Sequence, residues 1–332
     1  MTSLSITKAA IHDVVDLLEL PEAGTIRRGF LAFSHPALAG MRWPYTIVRG
    51  RDDGPRVVVT AGVHPTEYPA IEASIRLTRG LDPATLRGTV IVLPLVNLPS
   101  FLTRTPFVSP LDGLNPNRVF PGNADGTVTE VIVDAIFRSV IAGADAYIDL
   151  HGGDVYEDLI PFICWAVSGD ADLDARAAAL ARSFGIKHVV VVPQQSSTTG
   201  LTSDIAAALA GIPAVLAEGG GRGLLTEPET AMLHEGCLRG LRHLGILPGG
   251  EPESVETVEV GYQIIHSPAE GLWYPAVTAG DMITAGQTVG AIRDLFGDHL
   301  VDVVTPVDGV VLYVTSSPAM RSGGITVGVG PH

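Results

Sequence analysis

The chain has 332 residues, enough for one large domain or for a large and a small one, and 46% of them are hydrophobic. Its formal net charge of −15, from 21 basic and 36 acidic residues, argues against nucleic acid or an anionic membrane surface as a partner. Two distant cysteines, Cys164 and Cys237, make no disulfide framework, so we expect a protein of the reducing cytoplasm.

Residues 1–20 mix apolar residues with His12, Asp13, Asp16 and Glu19. This pattern predicts an amphipathic helix rather than a signal peptide, which needs an uninterrupted apolar stretch. No apolar run is long enough to span a bilayer, so we expect a soluble protein without a membrane partner.

Strands and helices alternate over the first 250 residues. Strands are predicted at 25–33, 42–48, 56–61, 89–96, 146–150, 188–193 and 213–217, and helices at 66–78, 127–142, 173–184, 204–210 and 226–244. This order is typical of an α/β domain with a mixed, largely parallel central sheet flanked by helices.

The composition changes after residues 248–254, PGGEPES, which have the composition of a linker. From Val255 onward short β-rich pieces alternate with turns, so we predict a catalytic domain over 1–250 and a small all-β domain over 255–332. The β pieces resemble the barrel-sandwich module of lipoyl and biotinyl carriers, but the only lysines are Lys8 and Lys187, neither of them in this region. We expect the module either to cover the pocket mouth or only to stabilise the fold or an oligomer interface.

The segment 56–71, RVVVTAGVHPTEYPAI, begins as a buried strand and continues through a turn into a predicted helix. Pro65 suits the first turn of that helix. His64 and Glu67 are three residues apart and would lie on one helical face, where both could bind one zinc ion. The alternative is a partly exposed helix start, but the position after a buried strand favours a ligand site.

Two further predicted strands, 146–150 and 213–217, also end in polar residues. Asp149 and His151 share a face if the first strand continues, and Asp149 could then accept a hydrogen bond from a ligand histidine. The alternative is a capping aspartate beside a loop histidine. Glu218 ends the second strand, where a carboxylate is costly unless it is used or paired.

Residues 97–126 form a long predicted loop that contains Arg104, Asn117 and Arg118 among prolines and glycines. A loop of this length inside a compact domain is usually functional. Arg118 lies between rigid turn residues and offers the fork of donors that carboxylate recognition requires. Arg104 fits an ordinary surface arginine equally well.

His64, Glu67, His151 and Glu218 thus fall at or just past strand ends, and three ligands with one open position make a catalytic zinc site. The motifs GVHPTE, NPNRVFPG, DLHGG and AEGGG occur in this order. With them, the chain resembles the succinylglutamate desuccinylase/aspartoacylase family, relatives of the zinc carboxypeptidases. The C-terminal β region is also similar to that of the family, so the resemblance covers nearly the whole chain.

The resemblance implies that His64, Glu67 and His151 hold one zinc ion (Zn2+) per chain and that Glu218 is the general base for the attacking water. It also implies that Asn117 and Arg118 hold the substrate carboxylate.

The chain departs from the family pattern at two places. No arginine follows closely on the Asn-Leu-Pro-Ser sequence at 97–100, which leaves Arg104 as the candidate for polarising the scissile carbonyl. No arginine lies between Gly200 and Glu218, where some members hold a second carboxylate. We therefore expect a small-molecule N-acyl amino acid with an apolar or uncharged remainder rather than a dicarboxylate.

The sequence predicts a zinc-dependent hydrolase that deacylates an N-acylated amino acid. A metallocarboxypeptidase acting on short peptides would use the same residues. A non-catalytic metal-binding scaffold is the alternative of another class, although it has no use for Glu218. Whether the chain forms a homo-oligomer is left open.

Overall fold

The computed structural model of the protein describes residues 11–13 and 20–331. The strands up to residue 260 are β1 (Ile11–Asp13), β2 (Thr25–Ala32), β3 (Trp43–Arg49), β4 (Asp52–Ala61), β5 (Arg87–Leu93), β6 (Ala146–His151), β7 (Glu157–Leu159), β8 (Phe162–Ala166), β9 (His188–Val192), β10 (Ala214–Glu218) and β11 (Val258–Val260). The helices are α1 (Tyr68–Gly80), α2 (Leu98–Thr103), α3 (Val128–Ile136), α4 (Ala171–Ser183), α5 (Ser203–Leu209) and α6 (Glu227–His243). None of these helices is both long and apolar enough to cross a membrane.

Ten of these strands form one mixed sheet in the order β1-β2-β3-β5-β4-β6-β10-β8-β9-β11. The pairs β2–β3, β3–β5 and β8–β10 are antiparallel, and the remaining pairs are parallel. With helices packed against the sheet, this architecture confirms the predicted α/β fold class.

The central strands are buried on both faces. Val57 and Val59 of β4 pack into one apolar cluster, whereas Val58 packs into the cluster on the opposite face. Burying each such side chain contributes about 1.5–3 kcal/mol, which favours continuous apolar runs in central parallel strands. The three adjacent strands β4, β6 and β10 run parallel, so their carboxyl ends meet at one edge of the sheet.

The C-terminal strands are β12 (Gln263–His266), β13 (Gly271–Pro275), β14 (Met282–Ile283), β15 (Thr288–Arg293), β16 (His299–Val304), β17 (Gly309–Thr315), β18 (Ala319–Met320) and β19 (Ile325–Gly330). They form two antiparallel sheets in the orders β12-β19-β17-β14 and β16-β15-β13-β18. The two regions exchange strands, because β7 pairs with β17 and β11 pairs with β9. The division of the chain at residues 250–255 stays a prediction.

The predicted N-terminal helix over residues 1–20 is wrong at Ile11–Asp13, which form a strand parallel to β2. Pairing with a neighbouring strand outweighs the local helical pattern there. Residues 1–10 and 14–19 of that prediction lie outside the described residues.

Candidate active site

Three parallel strands deliver polar side chains to the same edge of the sheet. His64 lies three residues beyond β4, His151 is the last residue of β6, and Glu218 is the last residue of β10. Glu218 is paired in register with His151 on the neighbouring strand. The polar residues predicted at the strand ends therefore lie close together at one edge of the sheet.

The path from His64 to Glu67 differs from the predicted one. Helix α1 begins only at Tyr68, with Glu67 at its N-cap and Pro69 in its first turn. Pro69 has no N–H to continue the helix backwards, so the predicted start at residue 66, with Pro65 in the first turn, is wrong by two residues. His64 and Glu67 instead belong to a turn closed by a 3.3 Å hydrogen bond from the Glu67 N–H to the His64 carbonyl.

Both histidines direct Nδ1 at the Glu67 carboxylate. His64 Nδ1 lies 2.7 Å from Glu67 Oε1, and His151 Nδ1 lies 2.9 Å from Glu67 Oε2. One ligand atom from each of the three residues lies within 4.8 Å of the others. Glu67 and His151 are almost completely buried, and the side chain of His64 is 14% exposed.

The hydrogen bonds at Nε2 decide which ring nitrogen carries the proton. Asn115 Oδ1 accepts from the Asn117 N–H, so the same oxygen must accept from His64 Nε2–H, at 3.0 Å. Asp149 likewise accepts from His151 Nε2–H, at 3.1 Å. When neutral, each ring would turn an Nδ1 lone pair toward the Glu67 carboxylate, so a shared cation would satisfy all three groups. The donor set therefore fits a metal ion.

A buried polar network fixes Asp149. Thr60 Oγ1 donates to Asp149 Oδ1 at 2.6 Å, and the Tyr147 hydroxyl donates to Thr60 Oγ1 at 2.6 Å. Ser203 Oγ donates to Asp149 Oδ2, the oxygen that faces His151. A carboxylate held by several donors sets the ring orientation of the histidine bonded to it.

Glu67 and Glu218 differ in their electrostatics. Burial alone would raise the pKa of Glu67, but the charges and hydrogen bonds of His151 and His64 lower it to about 2. Burial, followed by the negative charge of Glu67, raises the pKa of Glu218 well above its usual value. Glu218 as a residue is only partly buried, yet its Oε2 is inaccessible to solvent and has no hydrogen-bond partner. A raised pKa and an unpartnered oxygen are features that carboxyl groups at functional sites often share.

The glycines of DLHGG and AEGGG let two strand ends approach closely. A Cβ on Gly152 would lie 2.3 Å from the Gly219 carbonyl oxygen, which excludes any other residue. The Gly152 N–H donates to Glu67 Oε2 at 3.1 Å, and the Gly153 N–H donates to the Gly220 carbonyl at 2.9 Å. Both motifs therefore build the floor of the site.

A cavity of about 270 Å³ opens beside this cluster. His64, Glu67 and Glu218 line it, and so do Asn117 and Arg118. The C-terminal region contributes Tyr262, Tyr313 and Ile325 to its wall. The region therefore lies at the cavity, whereas its predicted role in limiting entry stays a prediction.

Asn117 and Arg118 are held in place by local bonds. Asn117 Oδ1 accepts from the Ser203 N–H at 3.0 Å, which leaves its side-chain N–H groups to donate elsewhere. Arg118 Nη1 donates to the Asn117 carbonyl at 2.6 Å, and the guanidinium remains exposed at the cavity wall.

Arg104 does not line the cavity. It is exposed at the C-terminal end of α2, with a left-handed backbone φ of 57°. The carbonyl-polarising role expected for it stays a prediction.

Several residues in or around the site are not identified as candidates by the sequence. They are Asn115 and Ser203, which hold the predicted residues, and Glu157, Asp204, Tyr262 and Tyr313, which line the cavity. Asn115 precedes a proline in NPNR, and Ser203-Asp204 opens a helix, so each reads locally as a turn or cap residue. Only the tertiary contacts show that these residues also belong to the site.

Residues 53–244 match the family model described as the succinylglutamate desuccinylase/aspartoacylase catalytic domain. The N-alpha-acetyl-L-2,4-diaminobutyric acid deacetylase of Halomonas elongata is 32% identical over 319 residues, covering 93% of this chain and 92% of the relative.

Solved structures agree. The product-bound ectoine utilization protein EutE (DoeB) of Ruegeria pomeroyi superposes with a TM-score of 0.82 at 26% identity, covering 92% of this chain and 95% of the other. A succinylglutamate desuccinylase/aspartoacylase from Rhodobacter sphaeroides gives 0.79 at 28% identity, covering 92% and 94%. The chain belongs to the succinylglutamate desuccinylase/aspartoacylase family.

Proposed function

We propose that the protein is a zinc-dependent amidohydrolase that removes the acyl group from an N-acylated amino acid. The observation that carries this proposal is the convergence of His64, Glu67 and His151 beside Glu218, at the edge of one small cavity. The Halomonas relative is named for deacetylating an acetylated diamino acid, and this supports acetyl as the acyl group.

In this proposal His64, Glu67 and His151 hold one zinc ion. Imidazole nitrogen and carboxylate oxygen are ligands that zinc prefers, and three protein ligands leave a position open for chemistry. A zinc ion bound there would acidify water and polarise the substrate carbonyl. Asp149 orients His151, and Asn115 orients His64.

Glu218 acts as the proton carrier of the reaction. It takes a proton from the attacking water and returns it to the leaving amine, so that the amide C–N bond breaks to a carboxylic acid and a free amino acid. Its unpartnered Oε2 and raised pKa suit a group that must hold a proton for part of the cycle.

Arg118 and Asn117 anchor the substrate. The guanidinium of Arg118 is the exposed cationic fork in the cavity wall, and the free side-chain N–H groups of Asn117 lie beside it. A carboxylate bound to both would fix the orientation of the scissile amide.

Two other functions fit the site less well. A carboxypeptidase would use the same residues, but a cavity of about 270 Å³ favours a small N-acyl amino acid over a peptide. A non-catalytic scaffold gains nothing from the buried, unpartnered Glu218 Oε2, which costs folding free energy.

A substrate panel tests the proposed function. Zinc-loaded protein is incubated with N-acetyl amino acids and with dipeptides, and release of acetate or of free amino acid is followed by NMR. We expect acetate release from N-acetyl amino acids to exceed dipeptide cleavage. Faster cleavage of dipeptides would instead assign the carboxypeptidase function.

Arg118→Lys should lower kcat/KM because lysine cannot form a bidentate contact with the carboxylate. A hydrogen bond to a charged group is worth about 1.5–3 kcal/mol, so the loss should be roughly 10- to 150-fold. The amides of good substrates should be poor for the wild type. Arg79→Lys, at an exposed arginine outside the cavity, is the matched control. Equal turnover of amides and free acids would contradict this anchor.

A further inference from the structure

The segment 115–118, NPNR, contacts more than the cavity. It carries the proposed carboxylate anchor, Asn117 and Arg118, and we call it the anchor segment. Its first residue also holds one of the two site histidines, because Asn115 Oδ1 accepts from His64 Nε2–H at 3.0 Å. The other histidine, His151, is connected to the anchor segment through two further residues.

Ser203 connects the anchor segment with His151. The Ser203 N–H donates to Asn117 Oδ1 at 3.0 Å, and the Ser203 hydroxyl donates to Asp149 Oδ2. The same Asp149 oxygen accepts from His151 Nε2–H at 3.1 Å. A continuous path of three hydrogen bonds therefore runs from Asn117 to His151.

Burial makes this path hard to replace. Ser203 and Asp149 are fully buried, and Asn117 is 3% exposed. Ser203 is the first residue of α5, where the backbone N–H has no partner within the helix. Asn117 supplies the acceptor, and a buried donor left without one is costly because water cannot replace it.

Backbone contacts fix the two segments against each other. The Phe120 N–H donates to the Leu201 carbonyl at 3.2 Å, and the Leu201 N–H donates to the Phe120 carbonyl at 3.1 Å. Both residues are buried in the core. Because this contact lies two residues from Ser203 and from Arg118, the positions of the anchor segment and of Ser203 are set together.

Substrate and histidines use different atoms of the anchor segment. The side-chain oxygens of Asn115 and Asn117 accept from His64 and from Ser203. The Arg118 guanidinium and the side-chain N–H groups of Asn117 are left for a carboxylate. The anchor segment can therefore hold the substrate and orient both histidines at the same time.

We infer that, given the proposed zinc site, the anchor segment also sets the zinc affinity, because it orients both histidine ligands. Ser203 is a positioning residue that transmits this effect from Asn117 to His151 through Asp149. Removing a residue that orients a metal ligand typically weakens metal binding by roughly 10- to 100-fold.

Zinc affinity, measured by competition with a chromogenic chelator, tests this inference independently of catalysis. Ser203→Ala keeps the backbone N–H but removes the hydroxyl. It should weaken zinc binding roughly tenfold, at the low end of the range because Ser203 acts through Asp149. Ser203→Thr keeps both groups and should bind zinc as the wild type does. Ser197→Ala, at an exposed serine outside the cavity, is the matched control.

Asn117→Ala tests the other end of the path. A residue that only anchored the substrate would not affect zinc binding, whereas here zinc binding should weaken because the Ser203 N–H loses its acceptor. In the Asn117→Ala, Ser203→Ala double variant the loss should be smaller than the product of the two single losses, since both changes break one path. Asn123→Ala is the matched control, because Asn123 Oδ1 also accepts a backbone N–H but is exposed and lies outside the cavity.

Unchanged zinc affinity in a folded Ser203→Ala protein would overturn the inference. If Ser203→Ala does not fold, unchanged affinity in a folded Asn117→Ala protein would do the same. Zinc binding by Ser203→Thr that is as weak as that of Ser203→Ala would assign the loss to packing and also overturn it.

The outcomes separate this inference from the proposed function. Tight zinc binding that responds to neither variant leaves the deacylase function standing and removes the role of Ser203. Absence of zinc binding by the wild type removes the proposed zinc-dependent function and this inference together.

Discussion

Glu218→Gln should lower kcat by roughly two to four orders of magnitude, because general acid–base catalysis contributes on that scale and an amide cannot take the proton. Glutamine keeps the shape of the side chain. The zinc content should therefore match that of the wild type, and kcat should fall far more than KM rises. Metal analysis and steady-state kinetics on the same preparation measure both quantities.

Thermal stability gives this variant a second readout. Burial raises the pKa of Glu218 in the folded protein, so the folded state favours the protonated carboxyl group. The free energy of unfolding therefore falls as the pH rises through that raised pKa and the group becomes charged. At neutral pH the neutral glutamine removes this cost, and the metal-free variant should melt no lower than the metal-free wild type. Glu256→Gln, at an exposed glutamate, is the matched control. Loss of zinc together with activity would make Glu218 a ligand instead of a base.

His64→Ala combined with His151→Ala should abolish both zinc binding and activity. A single carboxylate, Glu67, then remains of the three donors, and one oxygen ligand does not hold a catalytic zinc ion. Elemental analysis after mild dialysis should find about one zinc per wild-type chain and almost none in the double variant.

The control for this variant removes two histidines elsewhere. His243 and His299 pair with Glu251 and Asp302 outside the cavity, so their double alanine variant should keep its zinc. Circular dichroism should show that both double variants are folded. Full retention of zinc in the variant without His64 and His151 would contradict their assignment as zinc ligands.

Much of the fold and the centre of the site could be predicted because they depend on local pattern. Buried apolar runs marked β4, β6 and β10, and parallel strands bring their carboxyl ends together. Polar residues at those ends were therefore expected to meet, as His64, His151 and Glu218 do.

The remainder depends on contacts between distant parts of the chain. Asn115 holds the ring of His64 from 51 residues away, and Ser203 reaches Asp149 across 54 residues. Strand β8 is a five-residue apolar run, which periodicity alone does not distinguish from a helix. Phe162 and Cys164 of this strand line the cavity, so this part of the cavity wall could not be predicted from the sequence.

The contacts of the C-terminal region with the rest of the chain could not be predicted from the sequence either. Its β character followed from composition, but its pairing with β7 and its contribution of Tyr262 and Tyr313 to the cavity did not. Because β7 and β11 link the two regions into shared sheets, this region belongs to the structure of the site and is not simply appended to it.

Zinc titration of metal-free protein tests the central claim most directly. The protein is stripped with a chelator, and release of acetate from an N-acetyl amino acid is followed as zinc is added. We predict no release without metal and full activity at about one zinc per chain, the stoichiometry of a single three-ligand site. Acetate release by the metal-free protein, or none at any zinc content across the substrate panel, would contradict the account.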